Sequence, residues 1–74
     1  MAITRFGKFC RKLRMERGEL LYHMAQKLGA SSSHLSMVEH GKRKLPTRWK
    51  QIIISEYNLS DKERIEFEKL EWNE

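Results

Sequence analysis

The sequence predicts an all-α domain of five helices, and three observations predict it. Apolar residues recur at three- and four-residue steps along most of the chain, the period of an amphipathic helix. Gly18, Gly29 and Gly41 each stand just past the end of such a run, where helices commonly stop. Thr4, Ser31 and Ser60 stand just ahead of such runs, where a short hydroxyl side chain caps a helix start.

The first helix is expected over 4–17. Phe6, Phe9, Cys10 and Leu13 form its inward stripe with Arg and Lys between them, and Thr4 is its N-cap. A basic amphipathic helix lying on a membrane is the alternative reading of this stretch, but its apolar face is narrow. The second helix is expected over 20–28, with Leu21, Met24, Ala25 and Leu28 inward. Ala25 permits close approach of another helix, and Met24 fills core space. Gly29 ends it. The third helix, over 31–40, is capped by Ser31 and turns Leu35 and Val38 inward at i, i+3. That leaves Ser32, Ser33, Ser36, Met37 and His40 on or near its outer faces. A helix, a tight Gly-containing turn and a second helix make a helix-turn-helix, expected over about 20–40. The second helix of that motif is the usual reader of the DNA major groove.

Gly41 ends the third helix, and Lys42-Arg43-Lys44 run into Leu45-Pro46. Pro46 turns Leu45 away from helical geometry and can open the next helix. That fourth helix, over 47–57, carries Trp49, Ile52, Ile53 and Tyr57 inward, with Trp49 read as a core anchor rather than a base-stacking platform. Asn58-Leu59 is a short connection. Ser60-Asp61-Lys62-Glu63 is a capping box opening a last helix over about 60–72. Its Ile65, Phe67, Leu70 and Trp72 do not share one narrow stripe, so part of that surface is expected to be exposed for a partner subunit. Fraying of the last residues is the rival expectation. With no repeat, low-complexity tract or linker, 1–74 reads as a single domain.

Composition narrows the function. A chain of 74 residues supports one core and buries only about 60% of its unfolded surface, so a deep-pocket enzyme is not expected. Cys10 is the lone cysteine, which excludes an internal disulfide and a multi-cysteine metal cluster and fits a reducing cytosol. There is no run of about 18 apolar residues and no signal-peptide pattern, so a soluble, cytoplasmic, nucleoid-associated protein without a membrane partner is expected. The net charge of +5 suggests a polyanionic partner, nucleic acid ahead of a membrane surface. The charge is uneven. Arg5, Lys8, Arg11, Lys12, Arg14 and Arg17 crowd the first helix, and Lys42, Arg43, Lys44, Arg48 and Lys50 follow the third. From Glu56 onward acids outnumber bases. One basic binding face with the acidic end turned away is expected; ordinary solvated charge is the bland alternative. His34 and His40 are six apart and so do not share a helix face, and His23 adds no ligand spacing. No nucleophile–base spacing stands out, so no catalytic residue, metal ligand or cofactor is assigned.

These residues together resemble the Cro and phage-repressor family of helix-turn-helix proteins, the xenobiotic-response-element type. The matching pieces are Phe6-Gly7-Lys8-Phe9, Arg11-Lys12-Leu13-Arg14, Gly18, Met24-Ala25-Gln26-Lys27-Leu28-Gly29 and Leu35 through Arg43, within residues 5 to 57. The ordered combination of Met24-Ala25, Leu28-Gly29, Ser31, Ser36, Glu39 and Gly41 is the most specific. The resemblance implies a compact, lambda-repressor-like DNA-binding fold. It implies base contacts from Ser32, Ser33 and Met37, and capping with phosphate contact from Ser31. It further implies phosphate contact from the His40 side chain or amide, and backbone contacts from Lys42 and Lys44. Ser36 and Arg43 complete the candidate DNA-binding set. Glu39 matches a structural acid that commonly pairs with a basic residue of the first helix, for which Arg14 is the candidate.

Two departures bear on function. The family usually opens its second helix with Ser or Thr and then a phosphate-binding Gln, but Leu20 and Leu21 stand there. Either that contact is absent or Tyr22 or His23 replaces it. The recognition positions also lack Gln, Asn and Arg, the side chains suited to bidentate base reading. Some specificity is then expected from DNA shape or from a basic residue outside this helix. The implied function is a transcriptional regulator, a repressor binding a palindromic operator as a homodimer, in a phage, mobile-element or antitoxin setting. Nothing like an inducer domain fits in the remaining residues, so control through concentration or a partner is expected. The alternative is an antitoxin or interaction module whose last helix, through Phe67, Leu70 and Trp72, binds a protein such as a toxin.

Overall fold

The structure is a computed structural model that describes residues 3–70. Its helices are α1 (Arg5–Arg17), α2 (Leu21–Leu28), α3 (Ser32–Glu39), α4 (Arg48–Tyr57) and α5 (Asp61–Glu68), and no strand occurs among the described residues. α3 packs against both α1 and α2, and α2 also packs against α4. One core runs through all five. Phe6, Phe9, Cys10 and Leu13 of α1 meet Met24, Ala25 and Leu28 of α2, Leu35 and Val38 of α3, Trp49, Ile53 and Tyr57 of α4, and Phe67 of α5. The Phe9 and Phe67 rings lie 5.0 Å apart between centroids, which seats α5 on α1.

The helix ends follow from local chemistry. Thr4 Oγ1 accepts from the Gly7 amide at 3.0 Å, and Ser31 Oγ accepts from the His34 amide at 3.1 Å. Ser60 and Glu63 form the expected reciprocal box, at 3.2 Å and 3.0 Å. α2 has no hydroxyl at its start; instead the His23 Nδ1 accepts from the Leu20 amide at 3.0 Å. Gly18 and Gly29 close α1 and α2 in the left-handed conformation, and Asn58 does the same after α4.

Two contacts join the start of α1 to the end of α3. The Glu39 carbonyl accepts from the Thr4 amide at 3.0 Å and from the Thr4 hydroxyl at 2.8 Å. Gly7 lies so close that a Cβ there would stand 2.5 Å from the Glu39 carbonyl oxygen and 2.5 Å from Ile3 Cγ1. Only a residue without a side chain permits this approach inside a helix. Below it, the Arg14 guanidinium meets the Glu39 carboxylate at 2.6 Å and 3.4 Å, with side chains 9% and 2% exposed. This is the pair the resemblance implied, and Arg14 also reaches Met24 Sδ at 3.3 Å.

Trp49 is fully buried, between the Phe6 ring at 6.3 Å and the His34 ring at 5.4 Å. Its indole N–H has no hydrogen-bond partner among the described residues. The anchor therefore holds by packing alone.

Two expectations need correction. The last helix ends at Glu68 rather than near 72, and Trp72 lies outside the described residues. Phe67 is fully buried and Leu70 partly so, which leaves Ile65 as the exposed apolar side chain of α5. The acidic end is also not simply turned away from the bases. Glu63 pairs with Arg17 at 3.1 Å, and Glu68 pairs with Lys50 at 2.7 Å. Acids and bases far apart in sequence meet because α5 packs on α1 through Phe67 and Phe9, which brings Glu63 to the end of α1 and Glu68 to the first turn of α4. The Arg17 fork and the Ser60 amide hold the Glu63 carboxyl down to about 2. No helix among the described residues is long and apolar enough to cross a membrane.

Candidate nucleic-acid interface

α3 has two chemically opposite faces. Leu35, Val38 and Glu39 point into the protein and are buried. Ser31, Ser33 and Met37 point outward, with Met37 42% exposed. Ser32, Ser36 and His40 occupy the flanks and are half-buried. An exposed methionine flanked by hydroxyls offers weak, adaptable hydrogen bonding around one apolar contact. That chemistry matches a base edge carrying a thymine methyl. At its first turn α3 presents backbone N–H groups that have no partner inside the helix, where a phosphate is favoured.

The end of α3 differs from the expectation. His40 Nδ1 lies 2.8 Å from the Ser36 carbonyl, so it carries the proton and donates there. The His40 amide also bonds the Ser36 carbonyl, at 3.1 Å. The next two amides turn inward as well, Gly41 to Val38 at 3.1 Å and Lys42 to Met37 at 2.8 Å. The expected phosphate contact by the His40 amide is therefore not available; the ring keeps Nε2 alone. Gly41 closes this turn at φ +75°, and a Cβ there would stand 3.1 Å from Thr4 Cγ2. The amides of His40, Gly41 and Lys42 are thus engaged within the fold, and the exposed side chains of Lys42, Arg43 and Lys44 offer the charge for an anion.

Lys42, Arg43 and Lys44 are all exposed, and none of the three has an ion-pair partner among the described residues. The remaining bases of the same stretch behave differently. Arg48 reaches the Leu28 carbonyl at 3.4 Å, at the end of α2, and Lys50 pairs with Glu68. The basic run from 42 to 50 therefore splits into three exposed charges and two that tie helices together. On α1, Arg14 and Arg17 are engaged within the fold, while Arg5, Lys8, Arg11 and Lys12 are exposed.

Of the two replacements considered for the missing phosphate-binding Gln, His23 uses Nδ1 on the cap of its own helix. Tyr22 is 49% exposed and stacks on the His23 ring at 4.2 Å. Tyr22 is thus the freer group at the start of α2. Sequence reasoning missed Arg5, which shares a groove with the loop after α3. The signal was faint, because nothing local to Arg5 distinguishes it from the other bases of α1.

Cys10 is fully buried, and burial, with the nearby Glu39 carboxylate, pushes its thiol well above the ordinary value. It is a core residue with little thiolate to offer. Comparison with family models, with curated proteins and with solved structures finds no match.

Proposed function

We propose that the chain is a sequence-specific DNA-binding transcriptional regulator. In this reading α2, Gly29 and α3 form a helix-turn-helix of the Cro and phage-repressor type, in a lambda-repressor-like fold. α3 enters the major groove. Ser33 and Met37 face the base edges, with Ser32 and Ser36 beside them. Ser31, the α3 start and the side chains of Lys42, Arg43 and Lys44 take phosphates. No catalytic step, metal or cofactor has a part in this reading.

The observation that carries it is the division of α3. Its inner face is held by a buried ion pair and core packing, while its outer face leaves Ser31, Ser33 and Met37 open and the loop after it carries three cations with no ion-pair partner among the described residues. A helix so firmly backed presents its outer side chains without reorganisation, which is what groove reading requires.

Repression follows from occupancy of an operator that polymerase also needs. Two copies on a two-fold site would have half-site centres about 34–36 Å apart. The domain measures 29 × 24 × 22 Å, so neighbours at that spacing meet through a narrow contact. Ile65 on α5, Met15 and Leu20 are exposed apolar side chains open to such a contact. Of the residues behind the antitoxin alternative, Phe67 belongs to the core, Leu70 is partly buried and Trp72 lies outside the described residues.

Selection of bound duplex from a random pool tests the proposal. A palindromic consensus is expected, with the strongest positions opposite Ser33 and Met37. Recovery of no consensus would exclude sequence-specific reading.

A further inference from the structure

A groove of about 560 Å³ lies between the start of α1 and the loop after α3. Its floor is apolar, formed by Phe6, Val38 and Leu45. Its rim carries four cations, Arg5 from α1 and Lys42, Arg43 and Lys44 from the loop, and no acidic side chain lines it. All four are exposed, and none has an ion-pair partner among the described residues. Like charges collected around one groove repel each other unless an anion joins them.

The two walls of the groove are fixed to each other. Thr4, next to Arg5, donates its amide and its hydroxyl to the Glu39 carbonyl. Gly7 brings the first turn of α1 against the same carbonyl. Glu39 in turn holds Arg14 in the core. These bonds tie the α1 start to the α3 end, which brings Arg5 and the loop cations around one groove.

We propose that this groove seats one strand of the duplex backbone beside the major-groove helix, with Arg5 as a phosphate ligand from α1. The inference rests on the DNA-binding reading and adds to it a contact outside the helix-turn-helix. Arg5 is the guanidinium at the α1 wall of the groove, and its planar fork matches two phosphate oxygens. The lysines supply point charges. The amides of His40, Gly41 and Lys42 are engaged within the fold, and Arg5 adds a side-chain donor at the opposite wall.

The test compares salt dependence of binding to one duplex for the unaltered chain, Arg5→Gln, Arg5→Lys and Lys12→Gln. Lys12 is exposed on the same helix but does not line this groove. Arg5→Gln is expected to lower the slope of log affinity against log salt by about 0.9, the loss of one phosphate contact. Arg5→Lys keeps most of the slope, and Lys12→Gln keeps all of it. A full slope in Arg5→Gln, with duplex binding intact, overturns the groove proposal alone. An equal loss in Lys12→Gln also overturns it, because the effect would then be one of net charge. Absence of duplex binding by the unaltered chain overturns both this proposal and the function it rests on.

Discussion

The inner and outer faces of α3 differ in whether their polar groups are engaged within the fold. On the inner face every strong polar group is engaged: the Glu39 carboxylate by Arg14, and its carbonyl twice by Thr4. On the outer face Ser33 and Met37 are exposed, and the cations that follow have no ion-pair partner among the described residues. A domain this small has little stability to spare, so exposed charges left unpaired in a row are costly unless something outside neutralises them. The comparison separates what holds the fold from what meets a partner, and each side can be broken without the other.

The largest expected effect is on the inner face. Glu39→Ala leaves the Arg14 guanidinium buried without its counter-ion, which should cost about 3–5 kcal/mol in urea unfolding. The paired change Arg14→Met with Glu39→Leu should cost much less, because both charges leave together. If the single and double variants were equally unstable, packing rather than the ion pair would hold α1 to α3. Next is Gly7→Ala, where the added methyl meets the Glu39 carbonyl oxygen and Ile3. Forcing the helices apart should cost about 1–3 kcal/mol, despite the better helix propensity of Ala.

The outer face should respond in binding and not in stability. Met37→Ala or Ser33→Ala should change discrimination by about 1–3 kcal/mol per affected base pair, read by competition between duplexes. Unfolding free energy should stay within about 0.5 kcal/mol. Lys42→Ala should weaken all duplexes alike and flatten the salt slope. A change in base preference with the slope intact would reverse the roles assigned to Lys42 and Met37.

The smallest effect lies away from both faces. The folded Glu63 carboxyl sits near 2, below its ordinary 4.5, because Arg17 and the Ser60 amide favour the charged form. A depressed carboxyl stabilises the fold above its unfolded value and loses that contribution as pH falls towards 2. Acid unfolding of Glu63→Gln should therefore be flatter than that of the unaltered chain between about pH 4.5 and 2. The difference should be modest, because the pair is partly open to solvent.

Much of this was legible in the sequence because it is local. The Ser60-x-x-Glu63 box, the Thr4 and Ser31 caps and the glycine stops act within four residues, and each forms as expected. The core stripes of α1 and α2 likewise follow from periodicity. What escaped depends on which helices meet. Gly7 looks like a flaw in a helix until the Glu39 carbonyl is seen above it. The pairs Arg17–Glu63 and Lys50–Glu68 join residues whose approach only the packing of α5 decides. The same packing buries Phe67 and leaves Ile65 outside, an order that the blurred apolar pattern of α5 did not give. In the candidate interface Ser33 and Met37 were found by phase along α3. The engagement of the His40 amide and the nearness of Arg5 to the loop were not.

The most direct test is an anisotropy titration of a labelled mixed-sequence duplex at low ionic strength, with the unaltered chain and with Met37→Glu. The unaltered chain should raise the anisotropy to saturation. Met37→Glu, equally folded by circular dichroism, should bind far more weakly, since a carboxylate would enter the groove at the exposed centre of α3. No rise with the unaltered chain, or an identical curve for the two proteins, would contradict the assignment of the outer face of α3 to DNA.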